Sequence, residues 1–574
     1  MSKYSNIMKR STLFSFALTA MFIAGGNANS QNPYLPLWEV IPDGEPYVFE
    51  DPDLPGKYRV YIYGSHDVIV NNYCGLDQVV WSASVDDLKN WRYDGIIFES
   101  KKDRDGKDLN KDGKGDVLFA PDVLETKDKD GKKVYYLYPN NQARGRNSMI
   151  AKSNRPDGPF VVCNWNKDNA QVTDGPMNFD PAAFVDDDGR VYGYWGFEHS
   201  FAAELDPETM CTVKPGTQII DGMIADCRHD NTYRFFEASS IRKIKDKYVF
   251  VYSRITNEGE NGLPSTNYTL AYCYSNNPLG PWTYGGTIID GRGKEKLADG
   301  SYVATATPAG NTHGSICEIN GKWYVFYHRQ ASTFEYQRQA VVAPIELEVV
   351  EGESGYVKIK EAEFTSEGFE VNGLDPTKHY QAGIACYFTG PVPARQEYPN
   401  IVYSGSHIEV LYAKNYDGKS NPYDAKINLC PMVNNTSGSI IGYKYFNLSK
   451  TYNKENLSLV LSYVPDGVDG TIDIYLDRPS EQDGGIKLAT LNIDAKDAVS
   501  QKVIDKAKSD FEKSPLYGLN QNGAICLAKY KYAKTARINV DKMKNYNGKH
   551  SLFFVFNSNT KNQSICQLNE FWFE

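Results

Sequence analysis

Five short segments of this chain read alike: YRVYIYGSHD (Tyr58–Asp67), KKVYYLYPNN (Lys132–Asn141), GRVYGYWGF (Gly189–Phe197), DKYVFVYSR (Asp246–Arg254) and GKWYVFYHR (Gly321–Arg329). Each alternates aromatic or β-branched residues at period two, so each predicts a half-buried strand. The interval between them runs from the high fifties to the mid seventies. All-β units repeating at such spacing predict a propeller with one blade per repeat, hence five blades. A looser signal recurs within the units: SNRPDGPF (Ser153–Phe160), SNNPLGPW (Ser275–Trp282) and the more distant SASVDDLKNW (Ser82–Trp91). Proline and glycine set the backbone there, so these read as turns joining outer strands.

The repeats stop near Glu346, and 574 residues are too many for one ordinary domain. The segment 347–372 reads as connecting structure. From 373 to 574, runs such as SLVLSYV, TIDIYLD and SLFFVFN have the spacing of a β-sandwich. One stretch, Asp497 to Lys513, reads as a helical or loop-like insertion. At the other end, Lys9 and Arg10 precede an apolar run from Leu13 to Ala24, and Ala28-Asn29-Ser30 offers a cleavage site before Gln31. Residues 1–30 therefore read as an export signal, with a secreted or periplasmic product. The fold class expected is all-β: a five-bladed β-propeller over 31–346, followed by a β-sandwich. The 10 cysteines are scattered without metal-type spacing and read mostly as buried thiols. A net charge of −10 gives no reason to expect a nucleic-acid partner. The 41 tyrosines suit strand packing, and equally suit stacking on sugar rings.

Three carboxylates stand at matching places, each just upstream of a repeat. Asp43 lies in IPDGEPYVF, Asp180 in NFDPAAFVDDDG and Glu237 in YRFFEASSI. In a propeller the innermost strands line a shared channel, so these acids are expected to converge. Glycoside hydrolysis needs such a set: an acid that protonates the leaving oxygen and a base that activates water. A third carboxylate nearby raises the pKa of the acid by repulsion.

The order of FAPDV, FDPxxFxDDDG, FExxxIxKxxxxYxFxYS and HGSxxxxxGKWYxFYH resembles glycoside hydrolase family 43, over roughly Pro36 to Pro344. The resemblance implies a five-bladed propeller that hydrolyses arabinose- or xylose-containing glycans with inversion. It implies Asp43 as general base, Asp180 as the residue that tunes and orients the acid, and Glu237 as general acid. The family usually has Asp-Pro at the first motif, whereas this chain has Asp43-Gly44-Glu45-Pro46. Glu45 and Asp51 therefore stand as alternative bases, and Asp43 and Glu45 share strand parity.

Asp122 in FAPDV and Arg338 in YQRQAVV match pocket-lining and substrate-binding positions of that family. Trp195 and Phe236 are candidates for an apolar wall, with core packing as the alternative. His313 in NTHGSIC matches a histidine near the channel axis, which implies calcium there; no organic cofactor is expected. DLNKDGKGD (Asp108–Asp116) begins like a calcium loop, but its twelfth position is Phe119, where a bidentate Glu is required. It reads as a solvated turn or an incomplete site. GYKYFNL (Gly442–Leu448) and the C-terminal strand resemble a family 6 carbohydrate-binding module, a galactose-binding-like sandwich. The substrate implied is plant cell-wall polysaccharide or oligosaccharide, with a terminal α-L-arabinofuranosyl residue removed. β-Xylosidase, exo-β-galactosidase and a non-catalytic sugar-binding propeller are the alternatives.

Overall fold

The computed structural model describes residues 31–68, 72–411, 429–513 and 521–574. The expected export signal lies outside the described residues. Four four-stranded antiparallel sheets and one three-stranded sheet form the five blades. Blade 1 holds Glu45–Glu50, Tyr58–Gly64, Asp77–Ser84 and Asp87–Glu99. Blade 2 begins at Asp122–Lys127, blade 3 at Ala182–Val185, blade 4 at Phe235–Ile244 and blade 5 at Ser315–Ile319. Each repeat segment is the second strand of its blade.

These second strands are buried on both faces, not one. Val191–Trp195 and Lys247–Arg254 are buried at every position. The period-two alternation sorts side chains between two neighbouring blades instead of between core and water. In blade 1, Val60 and Ile62 pack into the core shared with blade 5, while Tyr61 and Tyr63 pack into the core shared with blade 2. Burying an aliphatic side chain in this way stabilises by roughly 1.5–3 kcal/mol. Similar cores fill the junctions of blades 2 and 3 and blades 3 and 4. The proline turns reinforce this packing. Tyr63 donates to the carbonyl of Pro156 at 2.6 Å, and Tyr194 donates to that of Pro278 at 2.6 Å. Each turn thus accepts a hydrogen bond from the preceding blade.

Blade 5 closes the ring. Its third strand, Arg338–Ile345, pairs on one side only with Lys322–Gln330. Beside it runs the first described segment. Asn32 uses its amide to accept from Val342 N at 2.9 Å and donate to Val342 O at 2.7 Å, and Gln339 donates to Leu37 O at 2.6 Å.

Beyond a short hairpin, Leu347–Val349 with Val357–Ile359, two stacked sheets form the β-sandwich. One is five-stranded and one six-stranded. Their facing side chains, Ile441, Ile472, Leu552 and Phe571 among them, merge with the core of blades 4 and 5. Arg329 of blade 5 reaches Ala385 O at 2.9 Å, and Lys444 of the sandwich meets Glu295 at 2.6 Å. The propeller and sandwich therefore share one core. The insertion is helical from Gln501 to Lys513, and a second helix, Gln521–Tyr530, follows it. All ten cysteines are free thiols, eight of them buried. In the DxNxDG stretch, Asp108 faces Lys102 at 2.6 Å and Asp116 is held by Arg146 at 2.8 Å. Those carboxylates are committed to cations of the chain, and the stretch is a turn.

Candidate active site

Asp43, Asp180 and Glu237 come from blades 1, 3 and 4 and line one cavity of about 170 Å³. Asp43 and Asp180 do not lie on the innermost strands, as their spacing predicts, but in the bends just before them. Their φ angles are 60° and 42°, left-handed values that a strand cannot hold and that Asp tolerates better than most residues. Glu237 does lie on a strand, at a bulge where the register with Ser253 shifts, and Ala238 beside it has φ 69°. A non-glycine residue held there costs about 1–3 kcal/mol. In each blade, that local distortion turns a carboxylate into the cavity.

The Asp43 carboxylate is surrounded by donors. Arg338 Nη1 lies 3.0 Å from Oδ1, and Ser65 Oγ donates to Oδ2. The backbone N–H of Asp43 donates to His328 Nδ1 at 3.2 Å. His328 is therefore neutral, with Nε2–H on Asn311 O at 2.8 Å; burial, then Arg338, push its pKa down to about 3. Burial pushes Asp43 up, but Arg338, His313 and Ser65 together hold it below the usual carboxylate range. Arg338 is itself fixed by a bidentate pair with Asp67, both contacts at 2.8 Å.

Glu237 has the opposite surroundings. Burial, then repulsion from Asp180 and, more weakly, Asp43, raise its pKa well above the usual range. Asp180 is held in place by Asn140 Nδ2 at 2.6 Å and by the N–H of Ala238 at 3.0 Å. The second bond ties it to the residue after Glu237. One small cavity thus carries a carboxyl kept ionised and another kept protonated.

Comparison with known proteins bears on what this arrangement does. The model of the family "Glycosyl hydrolases family 43" matches residues 50–349. The chain belongs to glycosyl hydrolase family 43. It is 35% identical over 377 residues to "Xylosidase/arabinosidase" of Thermoclostridium stercorarium, covering 62% of this chain and 71% of that protein. It is 28% identical to "Arabinoxylan arabinofuranohydrolase" of Paenibacillus polymyxa, covering 51% of this chain and 44% of the relative. Among solved structures, the family 43 arabinoxylan arabinofuranohydrolase from Bacillus subtilis, in complex with cellotetraose, aligns over 95% of this chain and 97% of its own at 20% identity and a TM-score of 0.42. The chain is accordingly a glycosidase. The family match begins after Asp43 and Glu45 and ends before the sandwich.

In this family 43 glycosidase the alternative bases lie elsewhere. Glu45 is fully buried toward the channel axis, where Arg242 Nη2 at 2.9 Å and Ser240 Oγ at 3.2 Å hold its Oε2. Asp51 sits in the loop before Tyr58 and faces Arg59 at 3.7 Å. Asp122 is also away from the cavity lining. It accepts from Tyr47 Oη at 2.6 Å and from Ala183 N at 2.7 Å, tying the innermost strands of blades 1 to 3 together. Burial and then Glu45 raise it to about 7. Arg338 does line the cavity. Trp195 is 3% exposed, stacks on Phe201 with centroids 5.7 Å apart, and belongs to the core between blades 2 and 3. Phe236 touches Phe197, at 5.1 Å, which with Phe179 forms the apolar wall instead.

His313 lines the cavity floor, 3.6 Å from both Asp180 Oδ2 and Glu45 Oε1. Both its nitrogens and Glu45 Oε1 are buried without a hydrogen-bond partner, so a cation or ordered water between them fits the donor set. Calcium takes six to eight oxygen ligands, and no group of three or more His, Cys, Asp or Glu gathers here among the described residues. Water would have to supply most of its coordination.

Several residues of the site are not singled out by sequence. Ser65, Asn140, Phe197 and His328 each sit within two residues of the C-terminal end of a second strand, in GSHD, PNN, GF and HR. Aligning the ends of the repeats would have found this second ring. A larger cavity of about 490 Å³, between His199 and Trp282, contains none of the three acids.

Proposed function

We propose that this glycosidase removes a terminal α-L-arabinofuranosyl residue from a plant polysaccharide or oligosaccharide by single displacement with inversion. The observation that carries it is that Asp43 and Glu237 line one small cavity, the first carboxylate surrounded by donors and the second beside Asp180, which is bonded to Ala238. Asp43 takes a proton from water as the water oxygen attacks the anomeric carbon. Glu237 gives its proton to the departing glycosidic oxygen as that carbon–oxygen bond breaks. Asp180 keeps Glu237 protonated and orients it through Ala238. Arg338 keeps Asp43 ionised. A calcium at the axis would be held by Glu45 and by His313 in its neutral form, and would supply in place of the protonated ring the positive charge that favours ionised Asp43. The T. stercorarium relative is named for both activities, which supports β-xyloside hydrolysis as the second reading.

The test uses protein recovered after export, whose first residue should be Gln31. Its kcat/KM on nitrophenyl α-L-arabinofuranoside should exceed that on the β-D-xyloside, and proton NMR should show the first-formed sugar with the opposite anomeric configuration. A first product of retained configuration would sink the single displacement, and a higher value on the xyloside would replace the sugar.

The two limbs of the pH–rate profile follow from the pKa directions. Activity should fall as pH drops through the lowered pKa of Asp43, and again as pH rises through the raised pKa of Glu237. Asp180→Asn removes repulsion from Glu237 and leaves burial in place. Its alkaline limb is expected at lower pH than in the unaltered enzyme; an unmoved limb would take Asp180 out of this role.

A further inference from the structure

The cavity of about 170 Å³ is well below the roughly 300 Å³ at which pockets for ordinary ligands begin. It holds one sugar ring, so the rest of a glycan must leave through the mouth. At that mouth, aromatic rings continue away from the acids and onto the C-terminal half of the chain. Tyr73 lines the cavity and lies under Arg338, whose guanidinium carbon is 4.9 Å from the ring centroid. Tyr336 packs edge-on against Tyr73, with centroids 4.7 Å apart. Tyr336 follows Glu335, whose N–H donates to Pro399 O at 3.1 Å, and Pro399 follows Tyr398, which is 66% exposed.

Tyr398 sits at the tip of the hairpin Arg395–Glu397 with Asn400–Val402, outside the propeller. That hairpin is docked firmly on the loop between the last two strands of blade 5. Ile401 N donates to Thr333 O at 2.8 Å, and Glu335 N donates to Pro399 O at 3.1 Å. Glu335 joins the two halves through its carboxylate, which accepts from Gln396 of the hairpin and from Tyr73 of the cavity wall. Position and chemistry therefore agree. A buried carboxylate fixes the inner ring and the hairpin together, and the outer ring is left uncovered.

We propose that Tyr73, Tyr336 and Tyr398 form a stacking track for the sugar units next to the scissile linkage, so that the C-terminal half supplies part of the substrate-binding surface. This rests on the glycosidase reading of the cavity. Tyrosine suits the task because it offers a large rigid face at small entropic cost and a hydroxyl at its rim. The class of ligand is a neutral glycan chain of two or more pentose units beyond the cleaved residue.

The test compares Tyr398→Ala and Tyr398→Phe with the unaltered enzyme. Two substrates are used: an arabinosylated xylo-oligosaccharide and the aryl α-L-arabinofuranoside. The ratio of kcat/KM on the oligosaccharide to that on the aryl glycoside should fall about tenfold in Tyr398→Ala, mainly through KM, the size of a lost interface contact. Tyr398→Phe keeps the ring and should restore most of the ratio. Calorimetry of the oligosaccharide on Glu237→Gln, with and without Tyr398→Ala, gives a readout free of turnover, and Kd should weaken about tenfold. An unchanged ratio and an unchanged Kd would overturn the track, as would equal loss with Phe and Ala. Failure of the glycosidase reading looks different: the unaltered enzyme would then hydrolyse neither substrate.

Discussion

Glu237→Gln should lose about 10²- to 10⁴-fold in kcat on nitrophenyl glycosides, the usual contribution of a positioned general acid. The amide keeps the shape of the side chain but has no proton to give. The loss should depend on the leaving group. A dinitrophenolate leaves without protonation, so its glycoside should be hydrolysed at a rate much nearer that of the unaltered enzyme. An unsubstituted phenyl glycoside should suffer most. The alkaline limb of the pH–rate profile should also disappear, because the group whose raised pKa defines it is gone. Stability should not fall with activity, since burial and repulsion from Asp180 both disfavour the ionised acid and the amide carries no charge. A loss equal across all leaving groups would contradict the acid role.

Much of this was legible before any coordinates. The period-two repeats mark the second strand of every blade, and DP and FE motifs upstream of them mark two of the acids. What was not legible has a physical cause. Alternation at period two looks the same whether a strand divides core from water or one neighbouring blade from another, so the two-sided burial of Lys247–Arg254 was hidden. A left-handed φ at Asp43 or Asp180, and the bulge at Glu237, leave no unique mark in composition, yet they decide which way each carboxylate points. Trp195 shows the same limit. Its place at the end of a second strand is a cavity address, but Trp195 has the parity of Val191, and alternation sends the indole with it into the core between blades 2 and 3. The tyrosine track could not be found from either half of the chain alone, because Tyr73 and Tyr398 meet through a loop between them.

Asp43→Asn and Glu45→Gln separate the two acids that sequence alone leaves in competition for the role of base. Asp43→Asn should lower kcat by about 10²- to 10⁴-fold, with no rescue of the kind a good leaving group gives Glu237→Gln, because an easily departing leaving group replaces the acid's proton but not the base that takes the proton of water. The acid limb should vanish with it. The fold should survive, since Arg338 keeps its bidentate contact with Asp67. Glu45→Gln should do the reverse. Its carboxylate lies on Arg242, whose other contacts are to the carbonyls of Pro46, Ile241 and Ile316 and to two hydroxyls. Removing that charge leaves a largely buried guanidinium without its ion-pair partner, with only the more distant Asp122 to offset it, a change that costs up to about 3–5 kcal/mol. The expected result is a large drop in Tm, with kcat on the folded fraction close to normal. A Glu45→Gln protein that folds well and has lost turnover, beside an active Asp43→Asn, would move the base to Glu45. That outcome would require Arg242 to release Glu45 when substrate binds, which a double variant carrying Arg242→Met would then expose.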